Sequence, residues 1–130
     1  ITNQACLSTG ELTYKNLNII NQKIKISLKK YALFILDFFV SNHHYKSLSF
    51  YRKPNPGLFF KASKKHKIIL DKTFYIGDDK RDIEAAYNAN TYIIYIGKKT
   101  LNKKEINKYK FIILKKKISN IFYEKIKYNF

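Results

Sequence analysis

Two short polar segments carry the residue types that phosphoryl chemistry needs. The first is Arg-Lys-Pro-Asn-Pro-Gly at residues 52–57, in which a lysine lies between an arginine and a proline. The second is Tyr-Ile-Gly-Asp-Asp-Lys-Arg-Asp at residues 75–82, in which carboxylates follow an apolar stretch. A cation that neutralises a transferring phosphoryl group and carboxylates that bind a metal ion are complementary parts of such a site.

The carboxylates of the second segment are candidate ligands for magnesium. Asp78, Asp79 and Asp82 supply three of the nine acidic residues of the chain within five positions. Gly77, just before them, lets a ligand or a metal approach the backbone closely, and Mg²⁺ prefers carboxylate oxygen. The alternative is that these acids only decorate the N-terminus of a helix, where negative charge is favourable by itself. On this segment alone both interpretations stay open.

The polar residues of the first segment and of the chain start are candidate phosphate contacts. Pro54 biases Lys53 to extended geometry, where its ammonium can neutralise a phosphoryl group. Arg52 adds a fork for a second phosphate or a sugar. The hydroxyl of Thr2 and the backbone amides of the Thr-Asn-Gln turn at residues 2–4 also suit phosphate oxygens. The alternatives are a turn that carries surface cations and a plain polar loop.

Composition limits the class of protein. A length of 130 residues indicates one domain, and 45% hydrophobic residues fit a folded chain. No apolar run approaches the roughly 18 residues of a membrane span. The lone Cys6 excludes an internal disulfide and suits a reducing cytoplasm, which is the predicted location. We expect neither a membrane nor a specific nucleic acid as a partner.

The net charge of +17 is the main observation in favour of a nucleic-acid partner. However, only Arg52 and Arg81 among the 26 basic residues are arginine, the residue whose fork nucleic-acid sites favour. A basic nucleic-acid-binding domain therefore stays as a weaker alternative.

The periodicity of apolar residues predicts helices and strands that alternate. The predicted helices cover residues 12–30, with Thr13 as N-cap, and residues 56–67, 81–90 and 118–127. The predicted strands cover residues 33–40, 73–76, 91–96 and 111–114, and residues 41–51 are predicted as a loop. This alternation indicates an α/β fold with a parallel sheet, whose ligands collect at the carboxyl ends of the strands.

In order and spacing, residues 1–4, 52–57 and 76–82 resemble three motifs of the haloacid dehalogenase superfamily. The similarity is closest to its subfamily IIIA, the branch of small phosphatases that contains the heptose bisphosphate phosphatases and the histidinol-phosphatases. Asn-Pro-Gly at residues 55–57 and Asp-Ile-Glu-Ala-Ala at residues 82–86 favour the heptose group. The resemblance implies a three-layer, Rossmann-like fold and Mg²⁺-dependent hydrolysis of a sugar phosphate through an aspartyl-phosphate.

The resemblance also implies a role for individual residues. Thr2 and Lys53 would act on the phosphoryl group as catalytic residues, and Asp78 would bind magnesium with Asp82 as a second, weaker ligand. The implied contacts to substrate come from these residues: Thr2, Asn3, Gln4, Ala5, Arg52, Lys53 and Asp79.

Three departures from the family pattern affect these expectations. The nucleophile of the family lies in an Asp-x-Asp motif upstream of the threonine loop, and the chain begins too late to contain it. We therefore expect one partial domain over residues 1–130, truncated at its N-terminus, that lacks the first strand and the nucleophile motif and is inactive alone. A missing or fused N-terminal segment would supply them. A non-catalytic pseudophosphatase or binding remnant is the alternative.

The other two departures are substitutions. A lysine commonly follows the metal aspartate in the heptose group, and here that position holds Asp79. Structural zinc needs four ligands, and one remains at the positions of the family's zinc loop, so zinc is not expected. Those positions hold Ser41, His43, Ser49 and Tyr51.

Overall fold

The computed structural model describes residues 1–97, 101–109 and 112–114, in two compact units, Ile1–Arg52 and Lys53–Phe130. Each unit contains its own sheet, and every strand pairing in the described residues is parallel. The α/β class with parallel strands is thereby confirmed. The helix predicted over residues 118–127 lies outside the described residues. No helix in the described ranges combines the length and the apolar character needed to cross a membrane.

The first unit contains a two-stranded sheet and one long helix. Its elements are β1 (Thr2–Asn3), α1 (Cys6–Thr9), α2 (Tyr14–Lys29) and β2 (Val40–Ser41), followed by a 3₁₀ turn at Tyr45–Ser47. In the parallel pair, Thr2 lies opposite Val40 and Asn3 lies opposite Ser41.

Helix α2 begins where its sequence predicts. The hydroxyl of Thr13 accepts a hydrogen bond from the Asn16 amide at 3.1 Å, which confirms Thr13 as the N-cap. The helix-spaced apolar residues that predict this helix are Leu17, Ile20, Ile24 and Leu28. Leu17 is buried and Leu28 is half-buried, whereas Ile20 and Ile24 are 44% and 40% exposed. Within the described residues, packing therefore covers the two ends of this set more than its middle.

The strand predicted over residues 33–40 is wrong except at its end. The observed strand is Val40–Ser41, and Phe34 and Leu36 are 81% and 72% exposed. A strand extends only where a neighbouring strand accepts its backbone hydrogen bonds. Among the described residues, the short β1 strand is the partner of this segment, and its ladder starts where the Thr2 amide donates to the Phe39 carbonyl.

The second unit contains a three-stranded sheet in the order β3-β4-β5. Its elements are α3 (Gly57–His66), a 3₁₀ turn at Leu70–Lys72, β3 (Phe74–Gly77), α4 (Lys80–Asn88), β4 (Tyr92–Tyr95), α5 (Lys103–Lys108) and β5 (Ile112–Leu114). Five of these lie within two residues of their predicted bounds, and α5 was not predicted. The register places Phe74 opposite Tyr92 and Ile93 opposite Ile112.

The core of the second unit fixes helix α4 to the sheet. Ile83 and Ala86 on α4 are buried against Ile93 and Tyr95 of β4, and Tyr109 completes the cluster. Burial of such side chains contributes about 1.5–3 kcal/mol each for the larger ones. Because this face is anchored, the first turn of α4 is held at the carboxyl end of β3.

Candidate functional site

The carboxylate of Asp82, in the first turn of α4, is the centre of the candidate site. Asp82 is 4% exposed. Its Oδ1 accepts hydrogen bonds from the Lys53 ammonium at 2.5 Å and from the Tyr75 hydroxyl at 3.2 Å. Its Oδ2 accepts from the backbone amides of Asp78 and Asp79, each at 3.1 Å. A buried carboxylate requires such partners, because burial of an unpaired charge is costly.

Lys53 is the cation that this carboxylate holds in place. The side chains of Lys53 and Asp82 are only 12% and 6% exposed. The Lys53 Nζ also donates to the Tyr75 hydroxyl at 2.9 Å. Both charges would be expensive to bury alone, so the pair fixes the position of the ammonium.

The Tyr75 side chain joins this network from β3. Its ring packs edge-on against the Phe59 ring of α3, with centroids 4.8 Å apart. Burial, followed by the charge of Asp82, raises the pKa of the Tyr75 hydroxyl well above its usual value. The hydroxyl therefore stays protonated and donates to Asp82. Sequence reasoning did not assign Tyr75 to the site; the available signal was a hydroxyl-bearing side chain within the apolar strand just before the carboxylates.

Gly77 makes room for the Asp82 carboxylate. A Cβ atom at Gly77 would lie 2.4 Å from the Asp82 Cβ and 2.8 Å from its Oδ2. The close approach that the glycine was predicted to allow is therefore made by a side chain of α4, which packs directly against the end of β3.

Asp79 is the N-cap of α4, and with Asp82 it forms a capping box. Its Oδ1 accepts from the backbone amide of Arg81 at 2.9 Å and from the Arg81 Nε at 2.8 Å. The hydrogen bond to Asp79 raises the pKa of the Arg81 guanidinium. Asp79 and Asp82 thus both cap the N-terminus of α4, as the helix-terminus interpretation predicts. A substrate contact by Asp79 stays a prediction.

Asp78 presents the exposed carboxylate of the segment, directly after β3. In the described part of the chain, no group of three or more His, Cys, Asp or Glu side chains is arranged to hold a metal ion. Mg²⁺ commonly uses only one or two carboxylates together with water and substrate phosphate, so an aspartate at this position fits such a site. Asp82 fits less well, because both of its oxygens already accept hydrogen bonds. Its role as a metal ligand stays a prediction, as does that of Asp78.

The remaining predicted site residues lie in the first unit, and β-sheet pairing uses two of their amides. The Thr2 amide donates to the Phe39 carbonyl at 2.9 Å, and the Gln4 amide donates to the Ser41 carbonyl at 2.8 Å. These two amides were expected to face phosphate, but residues 2–3 form a strand instead of a turn. The Gln4 side-chain amide also donates to the Thr2 hydroxyl at 3.2 Å.

The other predicted substrate contacts in this unit are Asn3, Ala5 and Arg52. Asn3 ends β1, Ala5 precedes α1, and the Arg52 guanidinium donates to the His43 carbonyl at 2.9 Å. The structure therefore brings together Lys53 and the three aspartates within the second unit. Phosphate and substrate contacts by residues 2–5 and by Arg52 stay predictions.

The fold and this site agree with one family of hydrolases. A sequence profile described as haloacid dehalogenase-like hydrolase matches residues 12–96. The chain belongs to this family, which confirms the family resemblance; the match covers the motifs at residues 52–57 and 76–82 and begins after residues 1–4.

The similar proteins include heptose bisphosphate phosphatases. The chain is 37% identical over 90 residues to D-glycero-beta-D-manno-heptose-1,7-bisphosphate 7-phosphatase of Helicobacter pylori strain 26695, with 68% of this chain and 52% of that protein covered. It is 30% identical over 96 residues to D-glycero-alpha-D-manno-heptose-1,7-bisphosphate 7-phosphatase of Photorhabdus laumondii, with the same coverage. The chain thus spans about half the length of the curated relatives it matches.

A solved structure shares the fold. The crystal structure of D,D-heptose 1,7-bisphosphate phosphatase from B. bronchiseptica, complexed with magnesium and phosphate, aligns with a TM-score of 0.79 at 22% identity. The alignment covers 92% of this chain and 68% of that one. The two chains therefore have the same Rossmann-like fold.

Proposed function

We propose that the protein acts in the Mg²⁺-dependent hydrolysis of a phosphomonoester on a sugar phosphate similar to a heptose bisphosphate. In this proposal Lys53 stabilises the charge of the phosphoryl group, and Asp78 would hold the metal ion. Thr2 and Arg52 are the proposed further contacts to the phosphate and the sugar.

The observation that carries this proposal is the buried ion pair between Lys53 and Asp82. A lysine that only decorates a turn is solvated, whereas this one is mostly buried and hydrogen-bonded to a carboxylate and a hydroxyl. An anionic ligand at the carboxyl end of a parallel strand would explain why a cation is held at that edge of the sheet. The names of the similar proteins in Helicobacter pylori and Photorhabdus laumondii support a heptose bisphosphate as the model for that ligand.

The proposed role of magnesium rests on the donor at this edge. Asp78 is a hard oxygen donor, exposed and adjacent to the anchored turn of α4. When bound, Mg²⁺ would neutralise phosphate charge and orient the ester. In this division of roles, Asp82 positions Lys53 and the backbone of residues 78–79, while Asp78 faces the ligand. The crystal structure of the B. bronchiseptica enzyme with magnesium and phosphate supports this choice of metal.

A nucleic-acid-binding function is less well supported by the contacts of the two arginines. Arg81 forms a two-pronged contact with Asp79, and Arg52 donates to a backbone carbonyl. The Arg81 fork is therefore engaged by Asp79, whereas Arg52 donates one nitrogen to a carbonyl, and a single arginine is a weak basis for a nucleic-acid site. The excess lysine charge would attract a polyanion without reading its sequence.

Phosphate binding by the chain tests the proposal directly, because binding, unlike turnover, does not require a nucleophile. ³¹P NMR titration of inorganic phosphate, with and without Mg²⁺, would measure the affinity. We expect binding that Mg²⁺ strengthens. Lys53→Met should weaken it at least tenfold, since hydrogen bonds to charged groups contribute about 1.5–3 kcal/mol.

Two further variants give the test its specificity. Asp78→Asn, at an exposed position, should retain the fold and abolish the effect of Mg²⁺. Lys61→Met removes an exposed lysine of α3 and is the matched control for charge, so it should leave the affinity unchanged. Equal losses of phosphate affinity in the Lys61 and Lys53 variants would mean that phosphate is attracted by lysine charge in general, and this result would refute the site.

Turnover of a heptose bisphosphate or of p-nitrophenyl phosphate is the second test. We expect the 130-residue chain to bind phosphate without turnover. Phosphate release that depends on Mg²⁺ and on Lys53 would show that a nucleophile is present within these residues and would overturn the expectation of an inactive chain, while supporting the site itself.

A further inference from the structure

We propose that Tyr75 is a positioning residue for Lys53 in the candidate phosphate site. This inference deepens the proposed function and rests on it. Tyr75 would act on the ligand only through the lysine: its hydroxyl shares the Asp82 carboxylate with the ammonium and restricts where the ammonium can lie.

The three polar atoms form a closed triangle. Lys53 Nζ lies 2.5 Å from Asp82 Oδ1 and 2.9 Å from the Tyr75 oxygen, and the Tyr75 oxygen lies 3.2 Å from the same Oδ1. A tyrosine hydroxyl has one proton, which it donates to the carboxylate, so its oxygen accepts from the ammonium. The Tyr75 oxygen thereby restrains the ammonium from a direction that differs from that of the carboxylate.

The tyrosine can restrain the lysine because its own ring is fixed. The ring belongs to β3, a strand paired along its length with β4, and packs edge-on against Phe59 of α3. The Lys53 Nζ lies 5.5 Å from the ring centroid and 2.9 Å from the hydroxyl oxygen, so the ammonium contacts the tyrosine through this oxygen. Lysine, by contrast, has a long flexible stem with much rotamer entropy. A rigid aromatic acceptor therefore removes motion that the carboxylate alone would permit.

Such restraint matters for a cation that stabilises a phosphoryl group. Electrostatic stabilisation is strongest when the charge is already aimed at the ligand and does not reorganise on binding. Tyr75→Phe keeps the ring and its packing, and it removes only the hydroxyl. Without the hydroxyl, the ammonium has to be ordered when phosphate binds, and ordering one flexible side chain corresponds to about tenfold in affinity.

A double-mutant cycle on phosphate affinity tests this coupling. Inorganic phosphate with Mg²⁺ is the probe, and the chains are wild type, Tyr75→Phe, Lys53→Met and the double variant. We expect Tyr75→Phe to weaken phosphate binding about tenfold in the wild-type background and to have no further effect once Lys53 is Met. A merely structural tyrosine would weaken binding equally in both backgrounds, which would overturn the inference. Tyr87→Phe, at an exposed position on α4, is the matched control and should change nothing.

A second measurement, made without phosphate, separates this inference from the proposed function. The ¹⁵N relaxation of the Lys53 ammonium reports its mobility directly. In wild type its order parameter should exceed that of exposed lysines such as Lys61, and Tyr75→Phe should lower it towards their value. An unchanged order parameter would refute the positioning role. Absence of phosphate binding in wild type would instead refute the proposed function, and the relaxation result would still decide whether Tyr75 orders the lysine.

Discussion

Replacing Asp82 with asparagine removes the negative charge from the buried pair and keeps the shape of the side chain. The amide oxygen can still accept from the backbone amides of Asp78 and Asp79, but its NH₂ group then faces the Lys53 ammonium. The cation keeps the Tyr75 oxygen, 2.9 Å away, as an acceptor. We therefore expect Asp82→Asn to lower the free energy of unfolding substantially and to loosen Lys53.

The size of this loss follows from burial. Removing one partner of a buried ion pair typically costs about 3–5 kcal/mol. The side chains of Lys53 and Asp82 are 12% and 6% exposed, so water compensates little. Because the Tyr75 hydroxyl remains, we expect the lower end of that range, about 3 kcal/mol.

The exposed ion pair on the same helix supplies the control. The side chains of Arg81 and Asp79 are 54% and 45% exposed, and such surface pairs contribute about 0–1 kcal/mol. Asn caps a helix about as well as Asp does, so Asp79→Asn should cost no more than about 1 kcal/mol. The double variant Lys53→Met/Asp82→Asn should be less destabilised than the sum of its parts, because neither charge is then buried alone.

Urea unfolding followed by far-UV circular dichroism measures these free energies, since the chain has no tryptophan to report by fluorescence. Hydrogen exchange at the amides of Asp78 and Asp79 gives a local readout, because both donate to Asp82. A cost for Asp82→Asn no larger than that for Asp79→Asn, with additive behaviour of the double variant, would refute the reasoning about the buried pair.

Three further changes have defined outcomes in urea or thermal unfolding. Gly77→Ala should destabilise the fold by about 1–3 kcal/mol, because the new Cβ would lie 2.4 Å from the Cβ of Asp82. Gly10→Ala is the control: it lies in open space at φ 82° and should cost only about 1 kcal/mol through backbone strain. Equal hydrogen-exchange protection of the α4 amides in both variants would contradict the steric reason. Because the pKa of Tyr75 is raised, the folded state keeps the hydroxyl proton above pH 10, where the unfolded state releases it, so the free energy of unfolding falls as pH rises. Tyr75→Phe should therefore lose less stability than wild type between pH 8 and pH 11. The same loss in both proteins would contradict this. Ser41→Ala should raise the free energy of unfolding by about 1 kcal/mol, because the buried Ser41 hydroxyl has no hydrogen-bond partner in the part of the chain that the structure describes. A melting temperature below that of wild type would contradict this expectation.

Much of the second unit follows from local sequence signals. The first turn of α4 is set by an aspartate N-cap and a capping box, and β4 is a β-branched and aromatic run. Their bounds were predicted within two residues because local chemistry and tertiary packing agree there. Residues 33–39 show the opposite case: their apolar character predicts a strand, but a strand also needs a neighbour, and periodicity carries no information about which neighbour is present.

The sequence predicts which residues belong to the candidate site better than it predicts which contacts they make. Lys53, Asp78 and Asp82 stand out from the sequence by spacing and by family resemblance. Their partners do not, because the hydrogen bond from Lys53 to Tyr75 spans 22 positions and depends on how α3 packs on β3. The amides of residues 2–4 illustrate the same limit, since strand pairing decides whether an amide faces a ligand or another strand.

Helix capping and ion pairing by Asp82 belong to one network. Asp82 is the N3 residue of the capping box and also the counter-ion of Lys53, so the helix terminus and the cation are held by the same carboxylate. We therefore expect changes at Asp82 to alter stability and the proposed phosphate affinity together. Asp78 contributes its backbone amide to this network and leaves an exposed carboxylate at the strand end. A substitution of its side chain is consequently the one that separates metal binding from folding, which makes Asp78→Asn the cleanest probe of the proposed chemistry.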